Sequence, residues 1–271
     1  MADHQTAPWF DLQSHSTYSD GTLAPADVVQ RAEQAGVRLL ALTDHDTVDG
    51  VNEAIAAART VRIVPAVELS SVHNDFEDLH ILGYGLDHTD AQLLATLEDF
   101  RGDRVRRIEA MADNLRAEGF TIELPAHKAP GRPHLAKALQ GQTELSTNEI
   151  FAKYLVPGTP TYVGRSRPTV EQAIDVIHAA GGLAVWAHPF WDLDEPLATL
   201  REFAGFGLDG VEAFYPTFTA EQTGRLYAAA RERGLLTTGS TDFHGPAHEH
   251  FNRFRGFELY GLEPDLGRLA Q

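Results

Sequence analysis

The chain has 271 residues, 43% of them hydrophobic, enough for a sizeable core and within the range of a single α/β barrel unit. Its 22 Lys and Arg stand against 39 Asp and Glu, a net charge of −17 that excludes the broad basic face a duplex nucleic acid needs, though not a small phosphorylated ligand met by locally gathered cations. Cysteine is absent, which excludes disulfides, thiolate nucleophiles and sulfur-ligated zinc together.

In chain order, short apolar runs alternate with amphipathic stretches, the pattern of repeated βα units. Strands are predicted at residues 9–13, 39–43, 61–68, 81–86, 183–187, 210–214 and 235–240. Helices are predicted between them at 25–35, 51–59, 170–180 and 220–233. Pro25 suits a first helical position, Thr169 with Gln172 reads as a capping box, and Gly181 with Gly182 ends that helix. Residues 89–167 break the rhythm: a long charged helix at 91–118, a loop rich in Pro and Gly, two shorter helical segments, and a weak strand signal near Thr161. We read 8–88 with 168–271 as a barrel domain and 89–167 as a helical insertion capping its mouth. No run reaches the roughly 18–20 apolar residues of a membrane helix. The opening MADHQTAPWFDL has neither a basic nor an apolar leader region. A cytoplasmic protein with no membrane association and no obligate partner is therefore expected.

Thirteen histidines are present, and several stand beside carboxylates at predicted strand ends. Gln13, His15 and Asp20 follow the first strand, Asp44 and His45 the second, and Glu68 ends the third. His188 follows the fifth, and Asp242 with His244 the seventh. The carboxyl ends of parallel barrel strands meet at one rim, so residues far apart in sequence gather there. A set of oxygen and nitrogen donors suits divalent ions of hard to borderline character. His80 precedes its apolar run, so its strand is expected to run differently from its neighbours. Asp46, in Asp44-His45-Asp46-Thr47, reads as a helix N-cap. His4, His73, His88, His127, His178, His248 and His250 lack ligand context and read as structural or surface residues.

The segments around these residues resemble the PHP (polymerase and histidinol phosphatase) superfamily. The resemblance is carried by the run from Asp11 to Gly21, by Leu42-Thr43-Asp44-His45-Asp46-Thr47, by Pro65-Ala66-Val67-Glu68-Leu69-Ser70 and by Asp78-Leu79-His80-Ile81-Leu82-Gly83-Tyr84. It continues through Gly131-Arg132-Pro133-His134, Ala187-His188-Pro189 and the run from Gly239 to Gly245. The branch it most resembles is the stand-alone phosphoesterases with a helical insertion, the nucleoside 3′,5′-bisphosphate phosphatases among them. The resemblance implies a distorted seven-stranded (β/α) barrel holding two or three divalent metal ions (manganese, iron or zinc, with magnesium admissible). It implies one metal on His15, Glu68 and Asp242, a second bridged by Glu68 to His80 and His188, and a third on Asp20, His45 and His244. Where the family opens with His-x-His, this chain has Gln13, whose carbonyl would be a weaker ligand. Phe218 stands where some relatives carry a histidine.

The activity so implied is hydrolysis of a phosphomonoester of a small metabolite, a nucleoside 3′,5′-bisphosphate first and a short RNA end second. Histidinol phosphate and cyclic phosphodiesters are further substrates. Asp242 or His244 is the candidate to protonate the leaving group. Arg132, His134, Lys153 and Arg104 are the candidate substrate contacts, with Arg165 and Arg167 weaker ones. The rest of the run Arg101, Arg104, Arg106, Arg107 reads as solvated ion pairs at helical spacing. Two other classes compete: a regulatory metal-binding module, favoured by Gln13, and an amidohydrolase, for which no strand-end lysine is present.

Overall fold

Seven strands form one sheet whose spatial order is the order of the sequence among the described residues, 8–124, 130–165 and 167–271 of a computed structural model. They are β1 (Phe10–Asp11), β2 (Leu39–Leu42), β3 (Arg62–His73), β4 (Phe76–Tyr84), β5 (Leu183–Trp186), β6 (Gly210–Phe214) and β7 (Leu236–Gly239). The two edges meet: Leu12 N–H donates to Gly239 O at 3.2 Å and His15 N–H to Phe243 O at 2.8 Å, curling the sheet into a nearly closed barrel. Fully buried Tyr84 donates its hydroxyl to Leu12 O at 2.8 Å, tying β4 to the segment after β1. The short central strands are buried along their length, β2 as Leu-Leu-Ala-Leu and β6 as Gly-Val-Glu-Ala-Phe, as expected of strands covered on both faces.

One strand departs from the parallel rule. β4 runs antiparallel to both β3 and β5. Its beginning therefore lies at the rim where the other strands end, which is why His80 precedes its apolar run instead of following it.

The predicted helices form as α1 (Pro25–Gln34), α2 (Val51–Ala57), α3 (Ala91–Ala117), α6 (Val170–Ala179) and α9 (Ala220–Arg231). The Thr169–Gln172 capping box is present, and Gly181 takes φ 76° just past the end of α6, where a Cβ would strain the backbone. Two further helices, α7 (Pro189–Asp192) and α8 (Leu197–Gly205), lie between β5 and β6, where the sequence patterning gave no helix. Between α3 and α6 come α4 (Arg132–Gln140), α5 (Thr147–Ile150) and a π turn at Phe151–Leu155. No strand forms at Thr161, whose hydroxyl instead donates to Tyr154 O. α3 belongs to two cores: Leu93, Leu97 and Phe100 pack in the barrel cluster, whereas Ile108, Met111, Ala112 and Leu115 pack with Leu135, Leu139 and Ile150. No helix among the described residues is long and apolar enough to cross a membrane. His4 and His127 lie outside the described residues.

Candidate metal centre

The strand register lays the candidate ligands in a row around the rim. His45 bridges Glu68 in parallel across β2 and β3. Ser70 faces His80 across β3 and β4, so Glu68, two residues back on the same face, is the diagonal neighbour of His80. Ala187 N–H donates to His80 O at 3.0 Å, which sets His188 beside it. The Ser14–Phe243 bridge then brings His15 against Asp242 and His244.

Glu68 is the hub. Its Oε2 is 3.0 Å from His15 Nε2 and 3.5 Å from His45 Nδ1, and its Oε1 is 2.8 Å from His80 Nδ1 and 3.5 Å from His188 Nε2. His15 Nε2 also lies 3.1 Å from Asp242 Oδ1. Asp20 reaches His15, His45 and His244, each at 3.5 Å. Three groups of side chains thus present donor atoms within 4.8 Å of one another: His15 with Glu68 and Asp242, His45 with Glu68 and His80, and His15 with Asp20, His45 and His244. His188 Nε2 stands 3.3 Å from His80 Nδ1, at the edge of the second group.

These residues fit a cluster of divalent ions by a test independent of family. His15 Nε2, Asp20 Oδ1, His45 Nδ1, Glu68 Oε2 and Asp242 Oδ1 are all buried, make no well-directed hydrogen bond, and meet other members of the cluster at 3.0–3.5 Å. With the imidazoles neutral, these atoms would all carry lone pairs aimed at one another, at about 1–3 kcal/mol for each one left unsatisfied, a cost that shared divalent ions would relieve. Two members of the cluster, His188 and Asp242, and Asp46 next to His45 have positive φ, at 32°, 54° and 53°, as do Asn74, Arg255 and Tyr260 elsewhere. Such conformations cost non-glycine residues about 1–3 kcal/mol each and collect at functional sites.

The electrostatics of the cluster are those of mutually stabilised opposite charges. Burial disfavours the charged form of His15, yet Asp242 and Glu68 hold it well above the ordinary histidine range. Burial is likewise outweighed at His188 by Asp192 and Glu68, at His80 by Glu68, and at His244 by Asp242 and Asp20. His45 goes the other way, because burial dominates and Arg104 adds repulsion. Asp20, Glu68 and Asp242 are held below the carboxylate range by the surrounding imidazoles despite their burial.

Gln13 reaches the centre through its amide. Its Nε2 donates to Glu68 Oε1 at 3.0 Å, and its Oε1 accepts from Ser240 Oγ at 3.4 Å. Asp44 makes no contact with the imidazoles of the cluster; it accepts from Ser16 N–H, Ser16 Oγ and Ser19 Oγ at 2.6–2.7 Å and so folds the turn that carries Asp20. Asp46 is no helix cap: Gly50 occupies that position before α2, and Asp46 instead pairs with Arg104.

The candidate substrate contacts separate into two kinds. Arg104 is buried and committed to Asp46 Oδ2 at 3.0 Å, Ser70 Oγ at 2.9 Å and Pro130 O at 2.9 Å. Arg107 is also buried, on Val163 O and Tyr162 Oη, so only Arg101 and Arg106 of that run behave as more peripheral ion pairs. Arg165, buried beside Ser70 O and 4.0 Å from Asp46, leaves its Nε without a partner. Arg132 pairs with Asp78, two residues from His80, and holds that carboxyl below its usual range against the cost of burial. His134 Nδ1 caps α4 by accepting from Gly131 N–H at 3.0 Å, and exposed Lys153 lies over the Tyr154 ring. Arg167 pairs on the surface with Asp99.

Four residues of the site were missed in the sequence. Asp192 Oδ2 stands 3.4 Å from His188 Nδ1, the usual way a ligating imidazole is oriented. Its signal was the i, i+4 spacing from His188. Glu212, inside β6, accepts from His188 N–H at 2.9 Å, and burial pushes its carboxyl up to about 8, so its proton bridges the 2.5 Å to Ser240 Oγ and leaves the Ser240 proton for Gln13. Tyr215 donates to Asp242 Oδ2 at 2.8 Å. Trp191, one turn beyond His188, is exposed at the rim.

Residues 11–95 match the PHP domain family. The chain is 35% identical over 269 residues to the 5′-3′ exoribonuclease Rnm of Escherichia coli (strain K12), covering 91% of this chain and 88% of the relative. It is 34% identical over 249 residues to the 3′,5′-nucleoside bisphosphate phosphatase of Chromobacterium violaceum, 87% of each chain. A solved structure described as an amidohydrolase from Chromobacterium violaceum, with bound sulfate and no metal, superposes with a TM-score of 0.82 at 32% identity, over 91% of each chain. With a donor cluster built for divalent ions and relatives that match along almost its whole length, this chain belongs to the PHP family of metal-dependent phosphoesterases.

Proposed function

We propose that the chain hydrolyses a phosphomonoester of a small nucleotide, a nucleoside 3′,5′-bisphosphate first among them. The observation that carries this reading is the pairing of two features on one rim. One is the ring of buried imidazoles and carboxylates around Glu68; the other is the group of guanidiniums, Arg104, Arg132 and Arg165, paired beside it on an otherwise acidic chain.

His15, Asp20, His45, Glu68, His80, His188, Asp242 and His244 would hold two or three divalent ions, with manganese, iron, zinc or magnesium as the candidates. When bound, such ions supply Lewis acidity and a lowered pKa for water. The chain's own residues do the rest. Arg132, at the start of α4, and the still partnerless Arg165 Nε supply positive charge for the phosphate, while Arg104 holds the segment from Asp46 to Ser70 in place. Of the two candidates for protonating the leaving oxygen, His244, raised above the ordinary histidine range, carries a proton to give, while Asp242, held ionised and bonded by Tyr215, would act as its partner. Residues 89–167, with the second core of α3, would cap the mouth, and His134 and Lys153 would act from that cap. A cytoplasmic location completes the proposal.

A second reading is supported by the exoribonuclease relative: the substrate is the end of a short RNA strand, reached by the same guanidiniums. Metal analysis of the purified protein, followed by phosphate or nucleotide release from nucleoside bisphosphates, mononucleotides and short oligoribonucleotides, tests both. Bisphosphate turnover with weak salt dependence is the expected result. A steep fall in rate with salt, confined to oligonucleotides, favours the second reading, and no release from any phosphoester by the metal-loaded protein refutes both.

A further inference from the structure

Exposed aromatic rings are costly unless something covers them, and one lies beside the metal centre. Trp191 is 51% exposed although it is the third residue after His188, on the single turn of α7. Its backbone N–H donates to His188 O at 2.8 Å, and Tyr215, whose ring is 5.4 Å from that of His188, stands between the two side chains. Other rings support it: Tyr215 at 6.4 Å, Phe251 at 5.5 Å and His250 at 6.5 Å between centroids. Tyr215 and Phe251 are in turn linked to the centre, the first by its hydrogen bond to Asp242 and the second by its ring 6.0 Å from His244. Trp191 is thus the outer end of an aromatic wall that runs up from the proposed reaction site.

Trp191 also lines a cavity of about 400 Å³, together with Phe76, which is itself 44% exposed. A bulge in β4 pairs Phe76 with His73 while Leu79 pairs with Ser71, so Phe76 lies on the Leu79 face, and the cavity meets the cluster through Asp192, which lines it and stands 3.4 Å from His188 Nδ1. Asp192, Asp194 and Glu195 line the cavity as well. Asp192 faces His188 and Glu195 pairs with Arg225, while Asp194 makes no ion pair or hydrogen bond among the described residues. Three carboxylates repel a phosphate from this cavity, but they accept hydrogen bonds from a neutral planar group with N–H donors on its edge.

We infer that Trp191 and Phe76 form a nucleobase subsite, in which the base of the substrate stacks on Trp191 with its N–H edge toward Asp194, while the phosphate stays at the guanidinium-flanked centre. The inference rests on the nucleotide reading above and adds a residue that sets specificity. Base stacking is worth roughly five- to hundred-fold in affinity per ring, so one platform is enough to separate nucleotides from bare sugar phosphates.

Isothermal titration of the purified protein with adenosine 5′-monophosphate and with ribose 5-phosphate tests it, using wild type, Trp191→Phe and Trp191→Ala. Trp191→Ala should weaken the adenosine ligand about tenfold and leave ribose 5-phosphate unchanged, and Trp191→Phe should keep most of the affinity. Quenching of wild-type tryptophan fluorescence by the nucleotide, lost in Trp191→Phe, should accompany binding. Equal weakening of both ligands would show that Trp191 acts only through His188, and unchanged binding, or no binding of the nucleotide to wild type, overturns the subsite. Discrimination by Trp191 without turnover of any nucleotide would sink the proposed activity and leave the subsite standing. Nucleotide turnover without discrimination does the reverse.

Discussion

Glu68→Gln removes one negative charge at the hub of the ring and keeps the side-chain volume. Glu68 contributes to two of the three donor groups, those with His15 and Asp242 and with His45 and His80, whereas the Asp20 group with His15, His45 and His244 does without it. Changing a residue that merely orients a metal ligand typically costs about 10- to 100-fold in affinity. Loss of a buried carboxylate that faces two groups directly should exceed that, to at least about 100-fold, or ~2.7 kcal/mol, at each. Plasma mass spectrometry of desalted protein, with circular dichroism to verify the fold, should therefore find about one ion per chain, retained by the Asp20 group. Asp20→Asn should lose the complementary ion and keep those at Glu68. Wild-type metal content in Glu68→Gln, or complete loss from a folded variant, would refute the division into Glu68-dependent and Glu68-independent sites.

Arg104→Ala leaves Asp46 buried without its partner, which normally costs about 3–5 kcal/mol. Arg165 remains 4.0 Å away, so the lower end is expected, a fall in melting temperature on the order of 10 °C; a shift below about 2 °C would contradict it. The pH dependence follows from the histidines. His15, His80, His188 and His244 are raised above the ordinary 6.5 in the metal-free fold, so the stability they contribute is fully present below that pH and is lost as pH rises through their raised values. Metal binding needs those protons removed, so the gain in melting temperature from manganese over EDTA should grow from pH 6 to about 8.5, and a flat or falling gain would contradict the assignment.

The barrel was legible because period and punctuation agree: alternating apolar and amphipathic runs, Pro25 at a helix start, Thr169–Gln172 as a cap and Gly181 at a helix end. Most candidate ligands were legible because they end strands, and His80 because it precedes one; the antiparallel β4 explains both with one rim. What could not be read was pairing between distant segments. Asp46 looks like a helix cap in a local window, and only the fold brings Arg104 to it, 58 residues on. Glu212 sits in a run whose other members are apolar, and nothing local reveals that Ser240 and the His188 amide will satisfy it. Arg104 and Arg107 share their spacing with solvated neighbours, so the buried pair could not be told from the exposed one until α3 was seen to pack on one face.

Gln13 takes a different meaning from that same long-range pairing. A hydrogen-bonded string runs from Glu68 through Gln13 to Ser240, on to Glu212, and ends at the His188 amide, crossing from β3 to the segment after β5. Every link inside it can be neutral near pH 7: an amide, a hydroxyl, and a carboxyl whose burial raises it to about 8. A neutral donor at position 13 takes one lone pair of Glu68 but none of its charge, so that charge is left for the imidazoles and for any cation they share. A neutral residue at position 13 therefore leaves the hub charged. By that argument the centre keeps the charged hub that a shared cation requires.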